Sequence, residues 1–102
     1  MLKRLKLYFG IILCKFTNKM FVRILKSNYS DGEEMVRIGD RYYIACHNAF
    51  SDPQVEYKHK NAFYQGCLIA IQCVIKGKRI IGEFELAQKL ENYLESMPEK
   101  LP

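Results

Sequence analysis

The sequence contains few of the residues from which catalytic and metal sites are usually built. It has two histidines, His47 and His59, and it lacks the Gly-x-Ser-x-Gly, His-Glu-x-x-His and glycine-rich phosphate-binding motifs. No pair among its histidines and cysteines has the C-x-x-C or H-x-x-x-H spacing of zinc ligands. We therefore expect no metal site and no cofactor, and a binding protein is favoured over an enzyme.

Cysteine is also too scarce for a secreted domain stabilised by disulfides. Cys67 and Cys73 lie in an apolar run, where free cysteine behaves as a small hydrophobic residue. Together with Cys14 and Cys46 they are expected to be reduced thiols of a cytoplasmic protein. Cys46 is the candidate nucleophile, with His59 as its base, because the histidine next to Cys46 points away from it in an extended chain.

Glycine and proline are scarce as well, with six and three residues in a chain of 102, which excludes a fibrous repeat and argues against disorder. Hydrophobic residues make up 49% of the chain, enough for the core of one domain. No apolar run approaches the ~20 residues that a membrane-spanning helix needs. The sequence therefore predicts one globular domain, residues 20–102, preceded by a basic leader, residues 1–19.

Acidic residues are absent from the first 26 positions, which hold seven lysines and arginines and carry a charge of +7. Residues 27–102 hold nine basic and eleven acidic residues, so the net charge of +5 arises entirely near the N-terminus. The basic isoelectric point, about 9.1, therefore describes the N-terminal segment. The rest of the chain offers no general attraction for phosphate.

Apolar residues in and just beyond the leader recur every three or four positions, which predicts one stripe on an amphipathic helix. The stripe consists of Leu2, Leu5, Phe9, Ile12, Phe16 and Met20, and Lys3, Lys6 and Lys15 lie off it. Packing on the protein's own core is the ordinary role of such a stripe; an anionic membrane surface and a partner's groove are the alternatives. If Met20 were the natural start, the chain would carry no net charge.

The segment after the leader reads as β-structure. Residues 20–26 are strong β formers with apolar and polar positions alternating in part, and they are followed by Ser30-Asp31-Gly32, which indicates a strand and a turn. Two further short apolar segments, residues 35–38 and 41–46, flank Gly39-Asp40, a pair suited to a tight hairpin. Residues 20–46 are therefore predicted to form a three-stranded antiparallel sheet.

The second half of the chain is predicted to supply helices. Residues 47–60 are polar and read as a loop. The run 62–75 is apolar nearly all round and therefore buried; its length favours a helix over a strand, with Gly77 as its end. Residues 82–100 predict an amphipathic helix that Pro98 terminates. The predicted fold class is α+β, with the C-terminal helix covering the sheet.

Tyrosines interleaved with cations mark the candidate binding surface, because such residues are enriched in protein interfaces and also stack on nucleotide bases. The candidate residues are Arg41, Tyr43, Tyr57, Lys58, His59, Lys60, Tyr64, Lys78 and Arg79. The predicted function is that of a small inhibitor or adaptor of a larger protein. A nucleic-acid-binding accessory protein and a peripheral membrane protein held by residues 1–19 are the alternatives.

Overall fold

The structure is a computed structural model that describes the backbone of residues 2–28 and 30–101 and the side chains of residues 10–28 and 30–101. Its elements are four helices, α1 (Leu2–Lys26), α2 (Gly32–Ser51), α3 (Tyr57–Ile80) and α4 (Phe84–Glu95). No strand occurs in these described ranges. The prediction of an α+β domain with a three-stranded sheet over residues 20–46 is therefore wrong, and the fold is all-helical.

Helix α2 begins where the sequence suggests a turn. The Asp31 carboxylate accepts a hydrogen bond from the Glu34 N–H at 3.0 Å, which satisfies one of the free donors of the first turn. Glu33 and Glu34 place negative charge at the positive end of the helix dipole. Ser30-Asp31-Gly32 is therefore a helix start, and the strand predicted before it forms the last turns of α1.

Small residues allow α2 and α3 to cross antiparallel with their backbones close together. A Cβ on Gly77 would lie 2.6 Å from the carbonyl oxygen of Gly32, and one on Gly39 would lie 2.7 Å from a side-chain carbon of α3. At the other end of the crossing, the sulfur of Cys46 occupies the space over Gly66, 2.5 Å from the position of a Cβ. The predicted hairpin at Gly39 is wrong because this glycine serves close helix packing.

Helix α3 is the centre of the fold, since α1, α2 and α4 all pack against it. Eleven of its 24 residues are buried, on more than one side of the helix. The run 62–75 is helical, as its length predicts. The helix that contains it continues past Gly77, which was predicted to be its end. The helix ends at Ile80, two residues before Gly82, whose φ of +86° permits the left-handed turn in which the Glu83 N–H donates to the Lys78 carbonyl oxygen at 2.8 Å.

The C-terminal amphipathic helix is confirmed as α4, but it covers α3 in place of a sheet. Ala87 and Leu90 pack against Ile71 and Ile75 of α3. Most of the predicted loop is helical too, because only residues 52–56 lie between α2 and α3. Helix α1 runs without a break through the predicted boundary between residues 19 and 20.

Two glycine-to-alanine substitutions are expected to change stability in opposite directions. In an exposed helix, alanine is more stable than glycine by about 1 kcal/mol. Gly10→Ala should follow this rule, because the new Cβ meets no described atom within 4 Å. Gly77→Ala should lower the free energy of unfolding by about 2 kcal/mol, because its Cβ would overlap the backbone of Gly32. Urea unfolding measures both, and a Gly77→Ala variant as stable as the parent would contradict the close crossing.

Candidate functional site

Helix α1 presents large apolar side chains to solvent. Leu13 is 65% and Phe16 61% exposed, and Ile12 and Met20 are nearly half exposed. Their positions fall within an arc of about 100° around the helix axis, so they form one surface. The feature is unusual because a monomer rarely leaves adjacent large apolar residues uncovered without a functional reason.

Cations border this apolar surface. Lys15, Lys19, Arg23 and Lys26 are all exposed on α1, and no acidic residue occurs in the first 26 positions to neutralise them. We call the eight residues together the outer face of α1: Ile12, Leu13, Phe16 and Met20 with Lys15, Lys19, Arg23 and Lys26. The outer face is therefore apolar and positively charged.

The opposite side of α1 packs on the core. Ile11 and Cys14 are buried in a cluster with Phe63 of α3. The stripe predicted from helical spacing is therefore not the packed side, since Ile12, Phe16 and Met20 belong to the outer face. The remaining members of that stripe, Leu2, Leu5 and Phe9, lie outside the residues whose side chains are described.

A polar link fixes the rotation of α1 about its axis. The Tyr42 hydroxyl of α2 donates to the side-chain oxygen of Asn18, and the Asn18 amide donates to the Ala62 carbonyl oxygen of α3 at 3.3 Å. The rings of Tyr42 and Phe21 are in contact, with centroids 4.6 Å apart. These interactions join three helices and hold the outer face toward solvent.

A lysine of α3 holds the C-terminal end of α1. The Lys76 ammonium donates to the carbonyl oxygens of Ile24, Leu25 and Ser27 at 3.4, 2.9 and 2.8 Å. Carbonyls at a helix end lack partners within the helix and carry partial negative charge, so a cation satisfies and stabilises them. Helix α1 is thus fixed at two points along its length.

Two of the buried thiols touch at the junction of α1 and α2. A hydrogen bond from Cys46 lowers the pKa of the Cys14 thiol from 9.0 to about 7, although burial acts in the opposite direction. The same contact, together with burial, raises the pKa of Cys46. Cys46 therefore remains a neutral thiol and has no support as the candidate nucleophile. Within the described residues, no group of histidines, cysteines and carboxylates has the arrangement of a metal site.

The structure separates the predicted binding residues into distant groups. Tyr57, Lys58, His59 and Lys60 share the first turn of α3, whereas Lys78 and Arg79 lie near its other end, about 30 Å away at 1.5 Å per residue. Arg41 and Tyr43 are on α2, and Tyr64 is buried in the core. The nine residues therefore do not form one surface.

Several of the predicted cations already have acidic partners. The ion pairs are Lys58–Glu56 at 3.2 Å, Lys78–Glu83 at 2.8 Å and Arg79–Glu91. Such pairs compete with a phosphate backbone for the same cations. The candidate site predicted from the sequence omits other residues, among them Leu13, Lys19 and Arg23. The two cations in this group form no ion pair with a described acidic residue. The excess of basic residues near the N-terminus was the signal that pointed to them.

Comparisons with protein-family models, with curated proteins and with solved structures find no significant match to this chain. None of the described helices is both long enough and apolar enough to cross a membrane. A functional assignment therefore has to come from the geometry and chemistry of the chain itself.

The buried thiols predict a loss of stability at alkaline pH. Burial raises the pKa of Cys67 and of Cys73 from 9.0 to about 11, so between pH 9 and 11 these thiols ionise in the unfolded chain before they ionise in the folded one. Their stabilising contribution, roughly 2–3 kcal/mol each at most, is complete below pH 9 and disappears as the pH rises through 11. Urea unfolding across this range measures the decline.

Alanine variants identify the source of that decline. Cys73→Ala should make it shallower, although the variant is less stable throughout. Cys14→Ala should also make it shallower, because Cys14 contributes to the raised pKa of Cys46 and of Cys67. An equal slope in Cys73→Ala and the parent would contradict the assignment.

Proposed function

We propose that this protein binds reversibly to the surface of an anionic lipid bilayer through the outer face of α1. The single observation that carries the proposal is the combination of four exposed apolar side chains and four exposed cations on one fixed helix face. An interfacial helix needs both parts, since its apolar residues enter the boundary between headgroups and acyl chains while its cations stay among the headgroups.

The apolar part supplies binding energy that does not depend on charge. Full burial of a Leu, Ile, Met or Phe side chain contributes about 1.5–3 kcal/mol. Leu13 and Phe16 have well over half of their surface available for this, and Ile12 and Met20 have nearly half. Insertion of the four side chains is therefore worth several kcal/mol, which suits reversible adsorption.

The charged part favours anionic lipids. Each lysine or arginine close to an anionic leaflet contributes about 1 kcal/mol, and the attraction weakens as salt rises. Long lysine and arginine side chains extend from a helix lying in the interface to reach the headgroups. The four cations of the outer face are unopposed on their own helix, so their contributions act in the same direction.

A bilayer matches the outer face better than the other predicted partners do. Nucleic acid offers phosphates for the cations but leaves the four apolar side chains in water. A protein groove that accepts α1 would have to be apolar along its floor and acidic along its rim. An anionic bilayer offers both properties at every point, so it is the partner that we propose.

Phe16→Ser tests the proposal against a matched substitution elsewhere. Phe16 and Phe84 are 61% and 66% exposed, but Phe84 belongs to α4. On vesicles of phosphatidylcholine with phosphatidylglycerol, Phe16→Ser should weaken binding about tenfold, because a large part of one phenylalanine is no longer buried. Phe84→Ser should bind like the parent. Co-sedimentation with vesicles provides the measurement.

Lipid composition and salt supply the second part of this test. The parent protein should bind poorly to phosphatidylcholine alone, and its binding to anionic vesicles should decrease with added salt. Failure to bind anionic vesicles would overturn the proposal and would favour an acidic protein groove as the partner of the outer face. Equal loss in both serine variants would contradict the assignment of binding to α1, because the effect would not be specific to that helix.

A further inference from the structure

A cleft of about 390 Å³ lies between α1 and the first turns of α3. Its polar lining includes three lysines, Lys15 and Lys19 from α1 and Lys58 from α3, together with His59 and three side-chain amides, and none of the described residues that line it is acidic. We call it the basic cleft. Three lysine side chains along one concave space can together bind an anion with several acceptor oxygens.

The N-terminus of α3 adds to the positive potential of the basic cleft. Lys58, His59 and Asn61 all lie in the first turns of this 24-residue helix. The N-cap residue Glu56 makes no side-chain capping bond, and no acidic residue lies in the first turn. The His59 N–H donates to the Glu56 carbonyl oxygen at 2.9 Å, so what α3 contributes to the basic cleft is the positive end of its dipole.

His59, one of the residues that line the basic cleft, has a buried ring nitrogen without a partner. The Nδ1 atom of His59 is buried and forms no hydrogen bond with any described residue. Buried polar atoms are normally paired, so this nitrogen marks a residue of the cleft lining whose hydrogen bonding is incomplete among the described residues. This observation concerns a ring nitrogen and is independent of the charges of the lysines.

We infer that the basic cleft binds a phosphate monoester. Such a group carries a charge near −2 and three terminal oxygens, whereas a phosphodiester carries one charge and two free oxygens. Three lysines and a helix N-terminus match the higher charge and the larger number of acceptors. The ion pair of Lys58 with Glu56 competes with the phosphate for this cation, but only weakly, because both side chains are largely exposed.

The position of the basic cleft connects it to the outer face of α1. Lys15 and Lys19 belong to both, so a headgroup at the edge of the adsorbed helix reaches the cleft without a rearrangement. Binding of a phosphate monoester that belongs to a lipid, such as phosphatidic acid, rests on the proposed membrane function. Binding of a free phosphate monoester from solution is independent of the membrane function.

Binding in solution tests the basic cleft without a membrane. Chemical shifts of the backbone amides, followed during titration with glycerol 3-phosphate or with inorganic phosphate, should move at residues 58–62 and 15–19. Lys58→Gln should weaken the binding about two- to fivefold, as expected for loss of one largely exposed ionic contact. Arg23→Gln removes the same charge from α1 outside the cleft and should leave the affinity unchanged. Equal affinities in Lys58→Gln and the parent would overturn the inference.

Vesicles then distinguish the source of the phosphate monoester. At matched surface charge, phosphatidic acid vesicles should bind the parent more tightly than phosphatidylglycerol vesicles, and Lys58→Gln should abolish this preference while Arg23→Gln retains it. Binding of glycerol 3-phosphate without any binding to vesicles would support the basic cleft and refute the membrane proposal. Vesicle binding that follows surface charge alone, with no binding of glycerol 3-phosphate, would refute the basic cleft and leave the membrane proposal standing.

Discussion

The backbones of α2 and α3 approach each other where Gly32 meets Gly77, and the remaining structure depends on this crossing. Because neither position has a side chain, two helices of 20 and 24 residues come close enough to form a pair. That pair supplies the groove in which Ile11 and Cys14 are buried. The groove accommodates only one side of α1, so the bulky side chains on its other side remain in solvent.

The sequence supports the second half of the fold better than the first. The 14 residues from 62 to 75 are too long for an ordinary strand, and helix α4 has an apolar spacing that only a helix satisfies. In α2, Gly39-Asp40 resembles a hairpin turn because the sequence shows a glycine but not the helix that packs against it. The helix start was visible in Asp31 and Glu34, three residues apart, which compete with the turn interpretation.

The candidate site was predictable in its charge but not in its arrangement. The absence of acidic residues before position 27 identifies the segment that carries the outer face. Helical spacing alone cannot say which side of that segment is packed, because the packed side includes Cys14 and Asn18, which do not read as a conventional apolar face. Lys19 and Lys58 both line the basic cleft. They are far apart in the sequence, and the packing of α1 parallel to α3 brings them together.

The two attachments of α1, at Asn18 and at the ammonium group of Lys76, have a further consequence. Many surface-active segments are unfolded in water and must form their helix on arrival, so nucleation and ordering reduce the free energy of adsorption. Here the helix already exists, and its orientation is set before any encounter. The adsorption that we propose would therefore cost mainly translational and rotational freedom, because the helix would meet the bilayer as part of a rigid body.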